Sequence, residues 1–115
     1  MIIALVDDLF FSSKISGAAG QMARPVKIVT DGPSMLSEAA SNPEKLIFDL
    51  NCRSCDPVGL IREIRRRGVT VPMLGFVSHV QGDLIKAAQQ AGCDQVVARS
   101  YFSAHLPEIL APACP

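Results

Sequence analysis

An α/β domain built on a doubly wound, five-stranded parallel sheet in the order 2-1-3-4-5 is predicted by three features of the sequence. Short runs rich in Ile, Val, Leu and Phe alternate with stretches whose apolar residues recur at helical spacing. The short runs are apolar throughout rather than at every second place, as strands covered on both faces must be. Gly, Pro, Asn and Asp punctuate the boundaries. Because crossovers between parallel strands are right-handed, a chain of five such units has few arrangements open to it.

Ile2 to Val6 is the first strand, and it ends in Asp7 and Asp8. Residues 10 to 22 follow as a helix with Phe11, Ile15, Ala18, Ala19 and Met22 on one face. Gly17 and Gly20 each cost that helix up to about 1 kcal/mol relative to Ala. Pro25 opens the second strand, Val26 to Val29, and Thr30, Asp31, Gly32 and Pro33 turn it into a short helix carrying Met35, Leu36, Ala39 and Ala40. Asn42 and Pro43 stop that helix, and Leu46, Ile47 and Phe48 form a third strand that delivers Asp49 at its carboxyl end. Asp56 is an N-cap and Pro57 a first-turn proline for a helix with Leu60, Ile61 and Ile64 inward and Gly68 at its stop. The fourth strand runs from about Val71 to Val77, and its helix holds Leu84, Ile85, Ala88 and Ala91 before closing at Gly92. Gln95 to Ala98 is the fifth strand. The last helix, near Ala104 to Ala111, contains Pro107 and takes Ser103 as its N-cap.

A length of 115 residues fits one domain, with nothing left over for a second module. Acidic and basic residues number 11 each, so no overall field recruits nucleic acid or an anionic membrane. Arg62, Arg65, Arg66 and Arg67 end a helix, where cations complement the dipole, and read as a solvated face. No apolar stretch approaches the ~20 residues that span a bilayer, and no signal peptide opens the chain. The expected location is the cytoplasm, with Cys52, Cys55, Cys93 and Cys114 as reduced thiols.

In a doubly wound sheet, ligands bind beyond the carboxyl ends of the strands where the winding reverses. Asp7 and Asp8 end the first strand and Asp49 the third, which are neighbours at that point. Clustered carboxylates repel unless a cation or proton intervenes, so this group suits a hard divalent ion such as magnesium. Three solvated loop carboxylates are the plain alternative.

These residues resemble the receiver domains of two-component response regulators. The likeness rests on Leu5, Val6, Asp7 and Asp8, on Leu46, Ile47, Phe48, Asp49 and Leu50, and on Ala91, Gly92, Cys93 and Asp94, with Asp56 and Pro72 in support. It implies the flavodoxin-like, CheY-like fold, Asp49 as phosphoacceptor, and magnesium held by Asp7, Asp8, Asp49 and the backbone carbonyl of Asn51. It also implies a sensor histidine kinase or phosphotransfer protein as phosphodonor and a downstream protein as target, while the balanced charge leaves no nucleic acid or membrane partner expected. The chain would then be a signalling module rather than an enzyme. A free-standing hydrolase lacks a general acid, since His79 and His105 read as surface residues.

The sequence departs from that family at the places that grip and sense the phosphoryl group. Arg99 stands where the family has lysine, and keeps the charge with a larger planar head. Val77 stands at the threonine or serine position and Val96 at the aromatic one, so the usual coupling of hydroxyl to ring is expected to be absent. Ser78 would supply the hydroxyl only if the strand end were shifted by one place, because alternation points it away. Arg53 replaces a proline, leaving the loop mobile or presenting Arg53 to the pocket. Two functions follow: a stand-alone receiver phosphorylated on Asp49, or a pseudo-receiver that binds proteins without phosphorylation. Cys52 and Cys55 have the spacing of a redox pair or half a zinc site, but precede the cap Asp56, and chance occupation of the loop is the reading preferred.

Overall fold

Five parallel strands pair in the order β2-β1-β3-β4-β5, as the sequence predicts. In this computed structural model, residues 1–78 and 81–112 are described; His79 and Cys114 lie outside them. The strands are β1 (Ile2–Leu5), β2 (Val26–Val29), β3 (Lys45–Asp49), β4 (Met73–Val77) and β5 (Gln95–Ala98). The helices are α1 (Leu9–Gln21), α2 (Gly32–Ala39), α3 (Pro57–Arg66), α4 (Gly82–Ala91), α5 (Arg99–Ala104) and α6 (Leu106–Leu110). Among the described residues no helix is long and apolar enough to cross a membrane.

Alternation along β1, β3 and β4 divides the interior into two clusters, one on each face of the sheet. Ile3, Leu5, Leu46, Phe48 and Val77 pack with Met35, Leu60, Ile61, Ile64 and Ala88 of α2, α3 and α4. Ile2, Ala4, Ile47, Leu74 and Phe76 pack with Phe11, Ile15, Phe102, Leu106 and Leu110 of α1, α5 and α6. Helix starts follow their caps. Asp8, Asp31 and Asp56 accept from the amides of Phe11, Ser34 and Gly59 respectively.

Three expectations need correction. The last helix begins at Arg99, directly after β5, and breaks at His105 (φ −116°, ψ 23°) into α5 and α6. Pro107 lacks an N–H and its ring opposes the preceding turn, so it fits only in the first turn of a new helix. Ser103 therefore lies inside α5 and caps nothing. The fourth strand starts at Met73 rather than Val71, since Pro72 has no amide to offer the ladder and contributes only its carbonyl, which accepts from Leu46 N at 2.9 Å.

The arginine run is the third. Arg66 and Arg67 do lie on the surface, paired with Glu63. Arg65 instead clamps three segments: Nε donates to Gly92 O at 3.0 Å, Nη1 to Val69 O and Val71 O at 3.0 and 2.9 Å, and Nη2 to Asp94 at 2.9 Å. Asp94 also accepts from Met73 N at 2.8 Å, so one ion pair fixes the start of β4 against the turn before β5. Gly92 makes the close approach possible. Its φ is +123°, and a Cβ there would lie 2.5 Å from Arg65 Cγ. We expect Gly92→Ala to cost about 1–3 kcal/mol through strain and displacement of Arg65. A thermal denaturation midpoint equal to that of the wild type would contradict this account.

Candidate functional site

The carboxyl ends of β1 and β3 and the start of α5 enclose a cavity of about 440 Å³ lined by Asp7, Asp8, Asp49, Asn51, Arg53, Ser78 and Arg99. The site residues expected from the sequence thus share one cavity. Asp49 is 1% exposed, the one buried charged residue among those described. Its Oδ1 accepts from Asn51 N at 2.9 Å. Its Oδ2 faces Arg99 Nη2 at 3.5 Å, while Arg99 Nη1 lies 3.9 Å from Asp8 Oδ2. Burial pushes the Asp49 carboxyl above its ordinary value of 3.8; the Asn51 amide and then Arg99 work against that rise, and Asp7 and Asp8 add to it.

Arg99 rests on an aromatic floor. Phe11, Phe76 and Phe102 stack with centroids 4.3 to 5.8 Å apart, and the guanidinium carbon stands 4.7 Å above the Phe11 ring and 5.9 Å from that of Phe76. A guanidinium is weakly hydrated and lies flat on such a surface more readily than an ammonium does. Nε of Arg99 is buried without a hydrogen-bond partner among the described residues.

The acidic pair is committed elsewhere to a greater degree than expected. Asp7 Oδ2 accepts from the amides of Arg53 and Ser54 at 2.9 and 3.2 Å, and Asp8 Oδ1 caps α1. Among the described residues no three acidic, histidine or cysteine side chains stand grouped to hold a metal ion. In this arrangement local backbone donors and Arg99 engage the carboxylate oxygens that face the cavity. The donor set is nevertheless all hard oxygen, which fits magnesium or a similar ion in kind. Asp8 Oδ2 and Asp49 Oδ2 are the oxygens it would share with Arg99.

Ser78 corrects the strand argument. The register pairs Asp49 with Phe76, so alternation sends Val77 to the opposite face and returns Ser78 to the cavity. Val77 is buried in the core against α3 and α4. The side chain of Asn51 was missed by sequence reasoning, which used only its carbonyl. Its Oδ1 accepts from Ser78 N at 2.7 Å and its Nδ2 donates to Gln81 Oε1 at 2.9 Å, tying the loop after Asp49 to both flanks of the β4–α4 connection. An asparagine two places beyond a strand-end aspartate was the available signal, but its partners depend on register. Arg53 lines the cavity, and its amide anchors the loop to Asp7. His105 stacks on Tyr101 at 4.0 Å, away from the cavity residues.

Neither a protein-family profile nor a curated protein matches the sequence. Solved structures do match. The receiver domain of NtrX from Brucella abortus superposes with a TM-score of 0.82 at 15% identity, over 95% of this chain and 93% of that one. This chain has the fold of a response-regulator receiver domain. A putative response regulator from Chloroflexus aurantiacus gives 0.81 at 19% identity, over 94% and 91% of the two chains. The Mn2+-bound form of the response regulator Rcp1 gives 0.74 at 14% identity, over 94% and 89%. In the receiver fold the cavity found here lies beyond the carboxyl edge of the sheet, where such folds bind ligands.

Because its pKa is raised in the folded state, Asp49 holds its proton more tightly folded than unfolded. Its contribution to stability is complete below the ordinary carboxyl value and is lost as pH rises through the folded-state value. At neutral pH the ionised group is a net cost. Asp49→Asn should therefore unfold at a higher temperature than the wild type at pH 7, with the difference narrowing as pH falls through the raised folded-state value and closed by about pH 4. Equal stability across that range would show that Arg99 fully offsets the burial.

Proposed function

We propose that this chain is a receiver module that accepts a phosphoryl group on Asp49 in a magnesium-dependent relay and signals by protein contact. The observation that carries the reading is a buried carboxylate with one oxygen held by a backbone amide and the other open to a cavity that it shares with two more carboxylates and an arginine. Asp49 Oδ2, whose one partner among the described residues is the long Arg99 contact at 3.5 Å, is the nucleophile. It attacks phosphorus in a phosphohistidine of a sensor kinase or phosphotransfer protein; the O–P bond forms, the N–P bond breaks, and the leaving imidazole keeps the electron pair and takes a proton.

Arg99 suits the product. Its contacts with Asp49 and Asp8, at 3.5 and 3.9 Å, are long for charge-assisted hydrogen bonds, so its head is free to turn toward a phosphoryl oxygen. Asp7, Asp8, Asp49 and the carbonyl of Asn51 would hold the metal, which when bound neutralises charge on the transferring oxygens. A divalent ion in the Rcp1 structure supports that reading. Asn51 gives the modified loop a direct line to Ser78 and Gln81, in place of the hydroxyl absent from Val77.

A pseudo-receiver that binds partners without phosphorylation is the second reading. It is favoured by Arg99 already serving as counter-ion to the pocket, with Asp7 and Asp8 engaged by backbone donors.

Acetyl phosphate and magnesium should add one phosphoryl group to the wild type and none to Asp49→Ala, as read by intact mass. Uptake by neither protein would favour the pseudo-receiver, and equal uptake by both would refute Asp49 as acceptor. Asp8→Asn keeps a capping oxygen but removes a charge. It should weaken magnesium binding by at least roughly tenfold in calorimetry, whereas Glu63→Gln, on the far surface, should not.

A further inference from the structure

We propose that Cys52 and Cys55 are a reversible disulfide site, closed by a small-molecule disulfide, that resets the loop holding Asp7. The two sulfurs lie 3.7 Å apart in contact with each other, Cys52 buried and Cys55 half-buried. A disulfide needs about 2.0 Å between sulfurs, so closure requires a shift of less than about 2 Å. The chain can supply it, since residues 51 to 56 form a loop of turn and bend without helix or strand pairing. Cys93, the other described thiol, is buried against Met73 O and Gln95 O in the β4–β5 region. Neither cysteine of the pair has it as a partner.

The bridge would bracket the two residues that matter to the pocket. Arg53 and Ser54 lie between the cysteines, and both their amides donate to Asp7 Oδ2. The Ser54 hydroxyl donates to the Thr30 carbonyl and also lies 3.1 Å from Cys52 Sγ. Drawing the sulfurs together pulls on a segment anchored at both places. Oxidation therefore alters the setting of Asp7 whether or not Asp49 accepts a phosphoryl group.

The chemistry balances with a small disulfide such as oxidised glutathione. The Cys55 thiolate attacks one of its sulfurs, releasing one thiol and leaving a mixed disulfide; Cys52 sulfur then displaces the second thiol. Two protons leave the protein, the protein pair loses two electrons, and the reagent gains them as two thiols. Burial, followed by the Cys52 contact, pushes the Cys55 thiol up to about 11, which makes the first attack slow at neutral pH and faster in alkali. This is a site that equilibrates with its surroundings, unlike a catalytic redox centre.

The test uses the full chain, equilibrated at pH 8 in mixtures of oxidised and reduced glutathione, with free thiols alkylated before intact-mass and peptide analysis. The expected product is a monomer two hydrogens lighter, with Cys52 linked to Cys55, and fully reversed by dithiothreitol. Amide signals of Arg53 and Ser54 should move on oxidation of the wild type and stay in place for Cys52→Ser under the same buffer. A bridge to Cys93 or Cys114, a disulfide-linked dimer, or no linkage in the most oxidising mixture would overturn the proposal. So would a Cys52–Cys55 bridge that leaves both amides unmoved. None of these readouts depends on phosphorylation, so the outcome is separable from that of the receiver reading.

Discussion

An ionised carboxylate withdrawn from water loses several kcal/mol of hydration, and its surroundings must replace what the solvent supplied. Asp49, 1% exposed at the end of β3, sets this demand for the molecule. One oxygen is met by the Asn51 amide and the other by Arg99. Much of the architecture around the cavity follows from bringing Arg99 there. It is the first residue of α5, so the helix has to start immediately after β5, and its guanidinium needs an apolar surface to lie on. Phe11, Phe76 and Phe102 supply that surface from α1, β4 and α5, and are themselves core residues. The site and the core on that face of the sheet are therefore one packing problem.

Parallel register converts this local demand into a division of labour between the two faces. Asp49 pairs with Phe76, which places the charged cavity and the aromatic stack on the side of α1 and α5. Val77 and Phe48 point to the other side, into the cluster under α3 and α4. A signal from the cavity to α4 has to pass around the strand ends rather than through the sheet. The Asn51 side chain offers such a route, because its contacts with Ser78 and Gln81 lie on the β4–α4 connection.

Strands, their order and the three acidic residues were legible because they depend on short-range pattern: apolar runs, punctuation by Gly and Pro, and Asp at the strand ends. Superposition at a TM-score of 0.82 with only 15% identity reflects the same fact, since pattern and volume specify a core more than residue identity does. What was not legible depended on register and on partners distant in sequence. That Val77 faces the α3 and α4 side while Ser78 lines the cavity needed the β3–β4 pairing. Arg65 could not be separated from its neighbours Arg66 and Arg67 by composition, because three of its partners are carbonyls, of Val69, Val71 and Gly92, which carry no sequence signature, and the fourth, Asp94, lies 29 residues away. The start of α5 at Arg99 was hidden by a strand that passes straight into a helix without a capping side chain. Asp8 caps α1 as well as facing the cavity, and the acidic pair in the sequence does not separate those two uses.

Arginine in the cavity also limits how any second cation enters it. Asp8 Oδ2 and Asp49 Oδ2 both face its guanidinium, and they are the oxygens that Phe11 and Asn51 amides leave free. An ammonium could move aside as a compact point charge on a flexible stem, whereas the guanidinium is planar, cannot lose its proton and is held over the Phe11 ring. Such a contact is worth about 0.5–2 kcal/mol, depending on how far the cation is desolvated. A divalent ion entering here gains two carboxylate oxygens and must overcome that contact together with repulsion from the arginine. The residue that lets two further carboxylates be assembled around a buried one is thus also the residue that a metal or phosphoryl group would have to rearrange, and the long 3.5 and 3.9 Å contacts leave it the freedom to do so.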